Sequence, residues 1–487
     1  MSHFEHPVHD RKKDHSQARD KLITLGSLVF LCLVVTLLST QAHGYELVPV
    51  HAAMMAPFIL LLLSIATMPF ISSRWWERNY PQVSFSLGAI AVIYYFFVLH
   101  NGARVIHAAQ EYVSFIALIG SLYVISGGIH IRIKGRSTPK ANVILLAVGA
   151  VLANLFGTTG ASMILIRPYI RVNKYRISGY HIVFFIFIVS NIGGLLTPIG
   201  DPPLFLGYLK GIPFFWVISR TWLIWLLTNA ALLAVFYMVD LHNYRKLPDR
   251  MEHEIEEAGE QARVQGMYNV VFLIVAIGSV FLDRPVREMA MFTAAAASYL
   301  ATKQQIHEQN SFNFLPLKEV AILFAGIFAS MVPVLDWLEL SAGKLGIGNP
   351  GQFFWSTGAL SSFLDNAPTY LSFLSAACGL HGLSMDNLHH MQALLGLLSQ
   401  EQLSQLKEVL GAQQYVLTGE SWKYVQAISA GAVMFGAMTY IGNGPNFMVK
   451  SIAEQAQVRV PGFFEYLIKY SIPILIPIFC VVWLIFF

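Results

Sequence analysis

Thr197-Pro198-Ile199-Gly200-Asp201-Pro202-Pro203 and Thr439-Tyr440-Ile441-Gly442-Asn443-Gly444-Pro445 share the form T-x-I-G-(D/N)-x-P at a shift of 439 − 197 = 242 residues. Each copy interrupts an apolar run long enough to be membrane helix. Proline removes a backbone donor and glycine loosens the helix, so the runs near 180–210 and 423–454 are expected to be broken helices. Upstream of each copy lies a second interruption. Phe156-Gly157-Thr158-Thr159-Gly160-Ala161-Ser162 aligns with Phe363-Leu364-Asp365-Asn366-Ala367-Pro368-Thr369 at a shift of 363 − 156 = 207.

The first of these interruptions decides the topology. The stretch 141–168 is preceded by Arg132, Lys134, Arg136 and Lys140 and ends in Arg167, Arg171, Lys174 and Arg176. A straight span would put these clusters on opposite sides of the membrane, whereas Lys and Arg concentrate on the cytoplasmic side. A re-entrant hairpin with its tip at Gly157–Gly160 keeps them together. The stretch 351–380 is read as a second hairpin, entering from the other side, so the two halves form an inverted repeat.

Composition agrees with a bilayer protein. Of 487 residues, 55% are hydrophobic and 12% charged, and the mean hydropathy is +0.56. The predicted fold class is an all-α polytopic membrane protein of about eleven transmembrane helices, with two re-entrant hairpins and two broken helices. The expected organisation is a cytoplasmic N-terminal tail (1–21), a first transmembrane half (22–240), a charged cytoplasmic linker (241–266) and a second half (267–487) carrying an extracytoplasmic insertion (381–421). Small residues near Ala42 resemble a signal-peptidase site, but the polar leader is long for a secretory signal, so a retained first helix is expected. The N-terminus is placed in the cytoplasm and the protein in a bacterial inner membrane.

The net charge of +4 is explained by helix orientation, and no nucleic-acid partner is expected. Cys32, Cys378 and Cys480 have no metal-ligand spacing. His3, His6, His9 and His15 could bind a metal but lie in a polar tail, where an incidental cluster is expected, and His381, His389 and His390 read as solvent-facing. The region from Leu395 to Leu410 reads as a surface amphipathic helix. Asp240, Asp283, Glu288, Glu319 and Asp336 fall at span ends and are expected to face water.

Four breaks at membrane depth free backbone groups that only protein or a wet cavity can satisfy. Half-helix N-termini favour anions, while freed carbonyls and side-chain oxygens favour Na⁺ or a proton. Thr158, Thr159, Ser162, Thr197, Asn366, Thr369, Thr439, Asn443 and Asn446 supply neutral ligands. Asp201 and Asp365 are the acidic residues placed near the bilayer middle, where each costs about 2.5–3.5 kcal/mol on insertion scales. They are expected to carry Na⁺ or H⁺, and each also sits where it can cap the following half-helix.

At these motifs the chain resembles the ion transporter superfamily of citrate transporter-like proteins, divalent-anion/sodium symporters, arsenite efflux permeases and sodium/proton antiporters. The resemblance rests on N-I-G-G-L-L-T-P-I-G-D-P-P at 191–203 and L-D-N-A-P-T at 364–369. It implies a homodimer in which a mobile domain moves as an elevator against a fixed scaffold. Asn191, Asp201, Ser361, Asp365 and Asn366 match positions that the sodium/proton antiporter branch uses for its ions. The acidic pair which that branch places before the Thr-Thr of the first hairpin is replaced here by Phe156-Gly157, and the symporters' Ser-Asn-Thr tips are altered too. An Asp at the second tip would repel a di- or tricarboxylate, so Na⁺/H⁺ exchange ranks above citrate or dicarboxylate uptake. No catalytic motif is present, so an enzyme is not expected, and a channel accounts less well for paired broken helices. No cofactor is expected beyond Na⁺ and H⁺ as transported ions.

Overall fold

The computed structural model describes residues 26, 28, 30–36, 45–132, 137–246, 263–410 and 417–487. The N-terminal tail with its four histidines, much of the expected first span and most of the linker lie outside these residues. The chain is an all-α membrane protein. In order come α1 (Ala56–Ile71), α2 (Ser73–Ile93), α3 (Gly102–Gly127), α4 (Pro139–Val172), α5 (Gly179–Ile188), α6 (Pro202–Leu209) and α7 (Phe214–Tyr244). Then follow α8 (Asn269–Ser279), α9 (Val286–Ala301), α10 (Leu315–Ser341), α11 (Pro350–Ser361), α12 (Asn366–Leu380), α13 (Trp422–Phe435) and α14 (Gly444–Gln455). A last span covers Phe463–Phe486. A short antiparallel ladder joins His130–Arg132 to Arg263–Gln265.

Eight helices among the described residues are long and apolar enough to cross a bilayer. These eight include the first hairpin stretch, Pro139–Val172, which is not one of the eleven expected spans, and the expected first span lies mostly outside the described residues. The run near 423–454 divides into α13 and α14, and those near 267–302 form the shorter α8 and α9. Burial sorts the helices. The most hydrophobic window of Gly179–Leu196 is 83% buried and that of Ala52–Ile71 is 22% buried, so the first lies at the centre and the second at the periphery.

The stretch Pro139–Val172 folds back on itself. Gly157 has φ 72° and ψ 157°, a region nearly closed to other residues. A Cβ on Gly149 would lie 3.2 Å from Leu165, and these residues stand equally far before and after Gly157. At the mouth, Asn142 and Asn173 exchange amide hydrogen bonds of 2.9 and 2.8 Å. The chain reverses again between α11 and α12. Phe353 and Phe373, symmetric about Phe363, have ring centroids 6.1 Å apart.

A frame of α2, α3, α9 and α10 packs together, and α10 also packs on α12. There Gly379 lies so close that a Cβ would sit 2.2 Å from the Glu339 carbonyl oxygen, while Ser375 donates to the Leu335 carbonyl at 2.6 Å.

Several charges expected to face water are buried instead. Asp240 is bound by Arg176, by Tyr180 at 2.7 Å and by Asn142 at 3.1 Å. Asp336 accepts from Arg104 Nε at 2.9 Å and Tyr95 at 2.6 Å, and Glu288 accepts from Ser114 at 2.5 Å and Arg287 at 2.8 Å. Paired and hydrogen-bonded carboxylates can be buried where bare ones cannot. Asp283 and Glu319 are exposed as expected. His381 is buried, with its ring nitrogen 2.8 Å from the Ala377 carbonyl oxygen, and His389 is exposed. The insertion is also anchored: Leu383, Met385, Met391, Leu394 and Leu395 belong to the core.

Candidate functional site

The four breaks meet at Asp201. At the first hairpin tip the Thr158 amide donates to the Gly200 carbonyl at 2.8 Å, docking the tip onto the first broken helix. Asp201, in extended backbone immediately before α6, makes no side-chain cap to that helix. Its Oδ1 accepts from Thr158 Oγ1 at 2.7 Å and from Asn443 Nδ2 at 3.0 Å, and its Oδ2 accepts from Asn366 Nδ2 at 2.6 Å. One fully buried carboxylate is thus held by a side chain from each of the other three breaks. Asp365 behaves differently: its Oδ1 accepts from the Ala367 amide at 3.0 Å and caps α12. The capping expectation therefore describes Asp365 and not Asp201.

The next shell joins the two broken helices directly. Asn191 Nδ2 donates to Asn446 Oδ1 at 2.7 Å, and Asn446 Nδ2 donates to the carbonyls of Gly436 and Thr439 at 2.8 and 2.9 Å. Asn443 Nδ2 lies within 3.2 Å of three acceptors: Ser190 O, Asn191 Oδ1 and Asp201 Oδ1. An amide has only two hydrogens, so the three acceptors share them. Asn366 Oδ1 is buried with no hydrogen-bond partner. A buried oxygen without a donor is open to a cation, a proton or water.

Asn366 and Asn443 border a cavity of about 70 Å³ with Thr159 and Asp365, closed from the frame by Phe115, Tyr123 and Phe324. No Lys or Arg lines it. The cavity has room for a partly hydrated ion, since a single water needs roughly 10–15 Å³ of such space.

Other candidate residues hold the breaks in shape. Thr197 Oγ1 donates to the Asn154 carbonyl at 2.8 Å and accepts from the Gly200 amide at 3.0 Å. Thr439, its counterpart, donates to the Ser362 carbonyl at 2.5 Å and accepts from the Gly442 amide at 3.2 Å. Ser361 donates to the Ala432 carbonyl at 2.7 Å, Ser162 meets Ser190 at 2.8 Å and Thr369 bonds the Asp365 carbonyl at 2.9 Å. Each broken helix folds over a glycine pair at equivalent motif positions. A Cβ on Gly200 would meet the Gly194 carbonyl oxygen at 2.2 Å, and one on Gly442 would meet the Gly436 carbonyl oxygen at 2.7 Å.

Sequence reading passed over Asn154, whose amide donates to the Gly193 carbonyl at 2.7 Å and whose Oδ1 accepts from the Leu196 amide at 3.0 Å. Its signal was a lone amide in an apolar run. It also passed over a cluster of buried charges at the far end of α6. Lys210 Nζ lies 2.6 Å from Glu111 Oε1 and contacts Asp386, which also binds Tyr45 and lies 3.5 Å from Arg104 Nη1. His107, Glu111 and Asp386 bring their ligand atoms within 4.8 Å of one another. The Lys210 ammonium already bridges two of them, so this is an ion-pair site rather than a vacant metal site. Burial alone would push the Asp386 carboxyl up, but Lys210 and Arg104 outweigh it and hold it well below the usual carboxylate range.

Residues 48–487 match the family described as "Putative citrate transport". No curated protein matches the chain.

Proposed function

The chain belongs to the citrate transport family just described, and on that premise we propose that it is a secondary active transporter exchanging Na⁺ or Li⁺ for protons by an elevator-type alternating-access cycle. The observation that carries this reading is the chemistry around Asn366: an unpartnered buried amide oxygen, two carboxyls within the breaks, and a small cavity with no basic residue. Such a site suits a small cation, whereas a tricarboxylate would need positive charge and more room.

In this reading the hairpins and broken helices form an inverted repeat of opposite topology, consistent with their matched glycine pairs and shared motif. The protein spans a bacterial inner membrane eleven times with its N-terminus in the cytoplasm and works as a homodimer. Asp201 and Asp365 carry the ion or its exchanged protons, and Asn366, Asn443 and Thr159 complete the coordination.

Proton-coupled or Na⁺-coupled citrate uptake is the second reading, favoured by the family's description. Everted membrane vesicles challenged with Na⁺, Li⁺ and citrate separate the two. Cation-dependent proton release with no citrate flux is the expected result. Saturable citrate accumulation without cation-driven proton movement would replace the first reading by the second.

A further inference from the structure

The helix α6 has a charged residue at each end. Asp201, immediately before Pro202, lies in the ion site, and Lys210, immediately after Leu209, lies in the ion-pair cluster with Glu111 and Asp386. Eight helical residues at 1.5 Å each make a strut of about 12 Å. Neither end of so short a strut can move far without the other.

The two ends meet the frame at different depths. On α3 the cluster uses Arg104 and Glu111, while the cavity is lined by Phe115, Ile119 and Tyr123. On α10 the cluster uses Asp336, bound to Arg104, while the cavity is lined by Leu317, Val320 and Phe324. Twelve residues separate Phe324 from Asp336, about 18 Å along a helix. By the topology proposed above, the cluster lies at the extracytoplasmic end and the cavity toward the cytoplasmic end. Asp386 belongs to the insertion, so the insertion, the frame and the substrate helix are joined at one ammonium group. Lys210 is buried, and withdrawing it would leave two carboxylates without their shared cation, which is costly in a low-dielectric setting.

We infer that Lys210 is a latch: its pairing with Glu111 and Asp386 holds the substrate helix against the frame and closes the extracytoplasmic end, and the site opens outward only when that pairing breaks. Lys210 is a positioning residue, since it is not among the residues that line the cavity. The inference rests on the alternating-access reading and assigns to the insertion the task of supplying half of the latch.

The test uses the full chain with Cys32, Cys378 and Cys480 replaced by Ser and with Met448→Cys as reporter, because Met448 lines the cavity beside Asn443. A membrane-impermeant maleimide is applied to intact cells and to everted vesicles. The reporter protein should label faster in everted vesicles. Glu111→Gln and Asp386→Asn, each removing one charge and retaining size, should raise labelling in intact cells by about tenfold or more, as a population shift toward the outward-open state. If added Na⁺ changes the side of labelling in the reporter but neither single variant alters the rate in cells, the latch is wrong and alternating access stands. If labelling stays on one side in every variant and ionic condition, alternating access is wrong and the latch fails with it.

Discussion

Asn443 donates its amide to Asp201 at 3.0 Å, and the two residues hold the same place in the motif shared by the two broken helices. Asp201 offers only acceptors, and Asn443 brings a donor to it. The pair is complementary because the motif differs there, Asp in one copy and Asn in the other.

That complementarity sets the effect of Asp201→Asn. The new amide places its NH2 where one carboxylate oxygen accepted, against either Asn366 or the pair Thr158 and Asn443, which donate here, and an unsatisfied buried donor costs about 1–3 kcal/mol. The group also ceases to titrate. Cation-driven proton flux in everted vesicles is expected to vanish, with a lowered melting temperature in detergent. Full proton flux in this variant would remove Asp201 from the coupling step.

Asn443 and Asn446 should separate affinity from stability. Asn446→Ala strips Asn191 Nδ2 of its Asn446 acceptor and leaves two backbone carbonyls without their donor. It is expected to cost about 1–3 kcal/mol of stability. Asn443→Ala removes an over-shared donor and should mainly weaken the apparent affinity for the ion. Ion titration of proton flux, paired with thermal melting of both variants, checks the division, and equal effects on both readouts would contradict it.

Gly157→Ala tests the hairpin tip. The added Cβ would sit 3.3 Å from the Ile199 carbonyl oxygen, on a backbone with φ 72°, and such conformations cost non-glycine residues about 1–3 kcal/mol. The tip should pull away from the first broken helix and weaken the Thr158–Asp201 bond. The expected outcome is a lower melting temperature together with reduced ion affinity. An unchanged variant would mean that the tip has another shape.

Asp386 gives a pH signature outside the membrane spans. Its folded pKa is depressed, so its contribution to stability is fully present above the unfolded value and is lost as pH falls through the folded one. With an unfolded aspartate near 3.9, the melting-temperature gap between the wild type and Asp386→Asn should be constant from about pH 8 to pH 5 and shrink below about pH 4. A gap that instead closes between pH 8 and pH 6 would indicate that another group controls the cluster.

The interruptions were legible because glycine, proline and polar residues cannot be hidden in an apolar run. Gly157, Thr197–Pro203, Asp365–Pro368 and Gly442–Pro445 stood out one by one, and the basic residues around 132–176 indicated the fold-back before any contact was known. The Lys210 cluster was not legible. Glu111, Lys210 and Asp386 come from segments far apart in the chain, and each alone resembles an ordinary charge at a helix end. Position along a span tells how near a residue is to the helix end, not what covers it. The same gap misplaced Asp240, Glu288 and Asp336, whose burial depends on partners such as Arg176, Arg287 and Arg104.

The dependence of Asp201 and Asn191 on Asn443 and Asn446 bears on the order of synthesis. When the ribosome has completed α7, the first half already holds a buried carboxylate and amide whose partners are some two hundred residues from being made. Until α14 is inserted, those groups need water, lipid headgroups or an insertase as temporary company. A fragment ending after Tyr244 should therefore be degraded or held by membrane chaperones, and co-expression of the separate second half should rescue it.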